Sequence, residues 1–183
     1  MNQLLLGGYE KYDLVSLIEK LDENFYQTTD SLCLKSFAMV NELKQIEFNQ
    51  ANSNYILLYD KLVHEIANFI QTRKQYFMPY LRELYAKDAT NHNCATCSGR
   101  CSMQHTSKLI ELKESINWVH NVLDKLQMMS LPLYSETKYT ETYKALRSEM
   151  AALENSLSEL FFIEETYLVP RVSAAQTKMN VHN

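Results

Sequence analysis

Residues 139–170, YTETYKALRSEMAALENSLSELFFIEETYLVP, decide the fold. Along this stretch a series of positions spaced alternately four and three apart carries Tyr139, Tyr143, Leu146, Met150, Leu153, Leu157, Leu160, Glu164 and Tyr167. This spacing is typical of a helix that buries one face. Because the series never slips, it predicts a long amphipathic helix with a single acid, Glu164, on its buried face.

Three other segments carry the same spacing, less regularly in the first of them. The predicted buried series include Asp22 and Phe25 in the first segment, Phe69, Arg73 and Tyr76 in the second, and Ile116, Val119 and Leu123 in the third, with His120 one residue off the series. The four segments are residues 12–48, 54–87, 102–129 and 136–176, separated by polar breaks near 49–54, 88–102 and 130–137. Residues 28–31, Thr-Thr-Asp-Ser, are poor helix formers and good caps, so they predict a break inside the first segment. Short connections between long helices are typical of an antiparallel four-helix bundle.

The predicted fold class is therefore all-α, an antiparallel four-helix bundle in a single domain over residues 1–183. It consists of a helix pair over 12–87, a Cys/His loop over 88–102 and a second helix pair over 102–176. The chain has only 3 Gly and 3 Pro among 183 residues. A β-sandwich or barrel needs many more turn residues, and a doubly wound fold needs glycine-rich junctions.

Charge and hydropathy exclude several classes of function. The net charge is −4 with no basic block, so we expect no nucleic-acid partner. Apolar runs are too short for a membrane span, and the start, MNQLLLGGYEKYD, lacks the basic region of a signal peptide. We predict a cytoplasmic protein whose cysteines are thiols or metal ligands. The sequence leaves a protein partner and a homodimer open.

An internal repeat links the second and fourth segments. Residues 69–79, FIQTRKQYFMP, align with 160–170, LFFIEETYLVP, at an offset of 91. The alignment pairs Arg73 with Glu164 and Pro79 with Pro170. Proline inside a helix costs about 3 kcal/mol. Two prolines at one repeat offset therefore predict a duplicated helix pair with a shared kink.

With these motifs the chain resembles the hemerythrin-like di-iron bundles, and most closely the repair-of-iron-centres proteins. Those proteins carry a helix with H-x-x-x-E-x-x-x-L-F-P twice. The likeness is carried mainly by the C-terminal half, where Val119-His120, Leu123–Leu126, Tyr139–Leu146 and Glu164–Arg171 run in the family's order. The resemblance implies a hemerythrin-like bundle of two pseudo-repeated helix pairs, iron binding, and a role in iron–sulfur cluster repair under nitrosative or oxidative stress.

The resemblance also implies a ligand set. In the family each half supplies one histidine early, then a histidine and a glutamate four apart on the next helix. The matching positions, second half first, are His120, Leu160 and Glu164, then Asp22 (or Glu23), Phe69 and Arg73. Leu160, Phe69 and Arg73 cannot ligate a metal, so the implied di-iron site is largely lost. The metal ligands that remain are His120, Glu164 and Asp22.

The same central positions can also be interpreted without a metal. A buried unpaired charge costs several kcal/mol, so charged groups on buried faces should pair. Repeat symmetry places Arg73 opposite Glu164. We predict a buried polar network of Arg73, Glu164, Asp22 and His120, in which the guanidinium supplies the positive charge of the lost iron. Two alternatives stay open: a single metal on His120, Glu164 and Asp22, or side chains that extend outward to solvent.

A second candidate site lies in the loop and the start of the third segment. Cys94, Cys97, Cys101 and His105 offer three thiolates and one imidazole, a set that suits tetrahedral zinc. The last two are four apart, on one face of the predicted helix. Cys94 and Cys97 also form a C-x2-C pair that could act in redox chemistry. The third alternative is an ordinary loop with reduced cysteines.

Three functional hypotheses follow. The first is a hemerythrin-like metal-binding protein related to iron–sulfur repair. The second is a regulatory or binding module without iron chemistry, either metal-free or with a zinc-bearing loop. The third is an enzyme of another class, which is disfavoured because no nucleophile and no hydrolase, kinase or dehydrogenase motif accompanies the charged cluster. The cofactor is accordingly iron, zinc or none.

Overall fold

The described part of the computed structural model comprises residues 6–46, 53–92, 100–133 and 141–181. In these ranges every regular element is a helix, and no strand occurs. The prediction of an all-α chain with four long helices is therefore confirmed. No helix in these ranges is long and apolar enough to cross a membrane.

The four long helices follow a short 3₁₀ helix, Leu6–Lys11. Three of them contain a π-helical turn between two α-helical parts. Helix α1 comprises Leu14–Leu21, the π turn Asp22–Tyr26, and Gln27–Ile46. Helix α2 comprises Ser53–Thr72, the π turn Arg73–Phe77, and Met78–Ala89. Helix α3, Arg100–Leu133, is α-helical throughout. Helix α4 comprises Glu141–Ile163, the π turn Glu164–Leu168, and Val169–Val181.

The four helices share one apolar core. The second part of α1 packs against the first parts of α2 and α4, and the first part of α2 packs against α3. The first part of α1 contacts the last part of α2, which also contacts the last part of α4. The core contains a group of tyrosine rings. The ring centroid of Tyr55 lies 6.2 Å from that of Tyr59 and 6.0 Å from that of Tyr143. Burial of such side chains stabilises the fold by roughly 1.5–3 kcal/mol each.

Local contacts fix the start of the bundle. The Asp13 carboxylate accepts a hydrogen bond of 2.7 Å from the backbone amide of Ser16 and so caps α1. The Arg171 guanidinium, on α4, donates to the backbone carbonyls of Tyr9 and Glu10 at 3.1 and 2.6 Å. The 3₁₀ helix is thereby held against the end of α4.

The π turns change the phase of the buried face. Each closes with an amide that donates to the carbonyl five residues earlier: Gln27 to Asp22, Met78 to Arg73, and Val169 to Glu164. Such a turn inserts one extra residue into an α-helix. The buried series in α4 consequently continues from Glu164 to Leu168 and Val172, not to Tyr167.

The same shift corrects the predicted core of α2. Tyr76, on the predicted buried series, is 63% exposed, and Phe77 is buried in its place. Pro79 and Pro170 each occupy the second position after a π turn. The repeated feature is thus a π turn followed by proline, at the point where the sequence predicts a shared kink.

One predicted helix break is wrong, and another begins later than predicted. Residues 28–31 lie inside the continuous helix Gln27–Ile46. The Ser31 hydroxyl donates to the Gln27 carbonyl at 3.0 Å, and the hydroxyls of Thr29 and Ser156 are 3.0 Å apart, so these polar groups are satisfied without ending the helix. Helix α3 continues past Ser130 to Leu133, so the predicted break at 130–137 begins later than expected, and residues 134–140 lie outside the described ranges.

Candidate functional site

The centre of the candidate site is an ion pair between α2 and α4. Arg73 is 3% exposed and Glu164 is fully buried. The Arg73 Nε lies 3.2 Å from Glu164 Oε1, and Nη2 lies 3.5 Å from Oε2. Both carboxylate oxygens therefore accept from the guanidinium fork, a geometry that compensates part of the desolvation of the two charges.

A buried tyrosine completes the coordination of the carboxylate. The Tyr26 hydroxyl donates to Glu164 Oε1 at 2.6 Å, and its side chain is fully buried. Burial, and then the neighbouring Glu164 charge, raise the pKa of the Tyr26 phenol well above its usual value. The Tyr26 hydroxyl therefore keeps its proton and donates it to the carboxylate that Arg73 also contacts. Asp22–Tyr26 is itself a π turn, so all three π turns contribute to this cluster or its edge.

The remaining contacts of Arg73 come from α3 and from its own helix. Its Nη2 donates to Ser115 Oγ at 2.9 Å and to the Leu112 carbonyl at 3.4 Å. Its guanidinium carbon lies 4.1 Å from the ring centroid of Phe69 and 5.4 Å from that of Phe77. Cation–π contacts of a desolvated cation reach about 2 kcal/mol. The guanidinium is thus supported by hydrogen bonds and by two aromatic rings.

Asp22 lies at the edge of this cluster. Its side chain is half-buried, and its charge contributes to the raised pKa of Tyr26. Its Oδ1 accepts no hydrogen bond from the described residues, and it forms no ion pair with Arg73. Asp22 therefore adds negative potential near Tyr26 without joining the hydrogen-bonded network. Glu23, the alternative at this point, is exposed and pairs with Lys20 at 2.6 Å.

The placement of His120 is a correction to the sequence-based prediction. His120 is exposed, and its ring packs against Phe161 with centroids 4.9 Å apart. Helix α3 contains no π turn, so its buried series keeps phase through Val119 and leaves His120 beside it. The structure does not bring His120, Glu164 and Asp22 together as a metal site.

More generally, no group of three His, Cys, Asp or Glu side chains that could hold a metal ion occurs among the described residues. Two positions that correspond to family histidines, Phe69 and Leu160, are buried apolar side chains. The predicted zinc set is a separate matter: Cys94 and Cys97 lie outside the described residues. Cys101 and His105 fall in the first turns of α3, and their side chains are likewise outside the description.

A groove opens beside the ion pair, between α2 and α3. Its volume is about 390 Å³, and Arg73 contributes to its lining. The aromatic residues that line it are Phe69, Tyr76, Phe77 and Trp118. The polar lining includes Ser115 and the charged residues Glu65, Lys108 and Glu111. The groove thus connects a buried charge with the protein surface.

Two members of the cluster were not predicted from the sequence. Tyr26 lies one position after the expected core residue Phe25, and the π turn brings it inward. Ser115 lies beside the buried series of α3, where residue spacing predicts no buried side chain. Tyr26 and Ser115 lie 47 and 42 positions from Arg73 in the sequence, so no local pattern marks them as its neighbours.

Comparison of the chain with protein-family models, with curated proteins and with solved structures yields no match in any of the three.

Proposed function

We propose that this protein is a hemerythrin-like antiparallel four-helix bundle that works as a binding or regulatory module without iron chemistry. The observation that carries the proposal is the buried Arg73–Glu164 ion pair. It occupies positions that the resemblance equates with metal ligands. A guanidinium and a phenol satisfy the carboxylate there, in place of a metal ion.

Electrostatics supports a metal-free centre. A divalent cation about 4 Å from a guanidinium is repelled by about 8 kcal/mol at an effective dielectric constant of 20. Glu164 already accepts two hydrogen bonds on Oε1 and one on Oε2. A metal at this carboxylate would have to displace Arg73 from a site in which it is 3% exposed.

The same contacts argue against an enzyme that uses this cluster. A general acid or base needs a group within hydrogen-bond reach of substrate. Glu164 is fully buried and engaged by Arg73 and Tyr26. From the sequence, the proposal also includes a cytoplasmic location and a protein partner. From the resemblance, it includes a context of iron–sulfur repair.

A variant of this proposal keeps a zinc ion on Cys94, Cys97, Cys101 and His105 as a structural element of the module. Helix α3 includes both Cys101 and His105, which are therefore about one helical turn apart. This spacing favours the zinc variant. Such a site leaves the central ion pair unchanged.

Metal content of the full-length, anaerobically purified protein tests the proposal. We expect no iron and no near-ultraviolet absorption of an oxo-bridged di-iron centre. Zinc that is lost in Cys94→Ser/Cys97→Ser/Cys101→Ser would support the loop variant. Stoichiometric iron that is lost in Glu164→Gln, but retained in the triple Cys variant, would overturn the proposal.

A further inference from the structure

We propose that the groove between α2 and α3 is a binding site for a small, flat, uncharged aromatic ligand that carries one hydrogen-bond acceptor, such as an aromatic amide. The inference depends on the proposed function in one respect: the central cation is an arginine side chain and not a metal.

The size and depth of the groove suit such a ligand. Its volume of about 390 Å³ falls in the range of small-molecule sites, about 300–1,000 Å³. The buried residues Leu112 and Val119 form part of its lining, so the groove reaches the core. A two-ring aromatic compound would fit a space of this size.

Aromatic side chains line the groove from its depth to its mouth. Phe69 and Phe77 are buried, whereas Tyr76 is 63% exposed and Trp118 is 38% exposed. Exposed aromatic side chains that flank a concave surface offer stacking contacts to a planar ligand. Tyr76 and Trp118 come from α2 and α3 respectively, so a planar ligand between them would contact both helices.

Arg73 is the reason that the ligand should carry a hydrogen-bond acceptor. Its Nε and Nη2 donate to Glu164, Ser115 and Leu112. No hydrogen bond joins its Nη1 to any of the described residues, although the side chain is 3% exposed and lines the groove. Nη1 is not one of the fully buried polar atoms without a partner, so it is accessible from the groove and can donate to a ligand there. A ligand oxygen in the groove would satisfy it.

The charge balance of the lining favours an uncharged ligand over a carboxylate. Arg73 is already paired with Glu164, and Lys108 is hydrogen-bonded to Glu111 at 2.7 Å. Half-buried Glu65 adds a further negative charge to the lining. A ligand carboxylate would meet two engaged cations and an excess of acids, whereas an amide carbonyl can accept from Nη1 without adding charge.

Binding to the full-length protein can be tested with three matched probes: 2-naphthamide, 2-naphthoate and 2-methylnaphthalene. Trp118 is the single tryptophan of the chain, so its indole N–H gives one NMR resonance that reports on the groove. We expect 2-naphthamide to shift this resonance and to bind at least tenfold more tightly than the other two, since a hydrogen bond to a charged group contributes about 1.5–3 kcal/mol.

Matched variants locate the binding site. Tyr76→Ala should weaken 2-naphthamide binding several-fold, whereas Tyr85→Ala, on the same helix but outside the lining, should leave it unchanged. Tighter binding of 2-naphthoate, equal effects of the two variants, or no response of Trp118 to any probe would overturn the inference. Iron in the purified protein would overturn the proposed function instead, so the two failures are distinguishable.

Discussion

Arg73 and Glu164 are 91 positions apart, each begins a π-helical turn, and their side chains meet with Nε 3.2 Å from Oε1. The two positions are equivalent in the internal repeat, yet one carries a base and the other an acid. The two repeat segments therefore place complementary charges at related positions. This pairing makes the interior polar cluster neutral at its centre without any added ion.

Loss of Arg73 should destabilise the protein strongly. Arg73→Met leaves Glu164 buried without its counter-charge, with Tyr26 as its remaining partner in the cluster. Removal of one partner of a buried pair costs about 3–5 kcal/mol. Urea unfolding followed by circular dichroism measures this loss.

Replacement of the whole cluster provides the control. The triple variant Arg73→Met/Glu164→Leu/Tyr26→Phe removes both charges and the hydroxyl, so its stability should return to about the wild-type value. Lys20→Met, in an exposed pair with Glu23, should have a much smaller effect than Arg73→Met. Equal losses in the two single variants would contradict the structural role of the buried pair.

Two buried tyrosines allow a matched comparison of hydrogen bonds. Tyr26 donates to the ionised Glu164, whereas Tyr59 donates to the neutral hydroxyl of Ser36 at 3.0 Å. Hydrogen bonds to charged groups contribute about 1.5–3 kcal/mol, and neutral ones about 0.5–1.5 kcal/mol. Tyr26→Phe should therefore cost more than Tyr59→Phe in chemical unfolding. The reverse order would show that the Tyr26–Glu164 contact is weaker than its geometry indicates.

Alkaline pH should destabilise the fold. Burial raises the pKa of the Tyr26 phenol in the folded state, so above about pH 10 only the unfolded chain releases this proton readily. Stability is then lost as the pH rises, by up to about 1.4 kcal/mol per pH unit for one group. Free energies of unfolding measured between pH 8 and pH 11 should fall less steeply for Tyr26→Phe. Identical slopes in the two proteins would rule out Tyr26 as a source of the effect.

The thiol of Cys33 should be unreactive in the native protein. It is 2% exposed, and burial raises its pKa to about 12. In the variant with Cys94, Cys97 and Cys101 changed to Ser, Cys33 is the only cysteine of the chain. Reaction of this variant with a disulfide reagent should be slow in buffer and fast in urea. Fast reaction in buffer would indicate that α1 opens locally around this residue.

Periodicity was sufficient to predict the four helices and most of their buried faces. Leu146, Met150 and Leu153 lie on the predicted series and are buried in the structure. The repeat alignment identified Arg73 and Glu164 as partners, because equivalent positions on duplicated helices face a common axis. The buried faces follow from residue spacing along one helix, and the pairing follows from the alignment of two segments.

Residue spacing could not predict where the buried face of a helix shifts by one residue. A π turn shifts the buried face by one residue, which exposes Tyr76 and buries Phe77. No local rule in the series marks its position, since the turn in α1 at Asp22–Tyr26 is not followed by proline. His120 was misplaced for the opposite reason: α3 contains no such turn, so a residue one step off the series stays outside.

The guanidinium of Arg73 also has a consequence for how the protein is made. Its positive charge is part of the translated chain, so the acid at the heart of the bundle has its counter-charge as soon as the helices assemble. On the proposed metal-free centre, maturation at this position requires no delivery of an ion. The yield of folded protein should accordingly be independent of the iron supply of the cell that produces it.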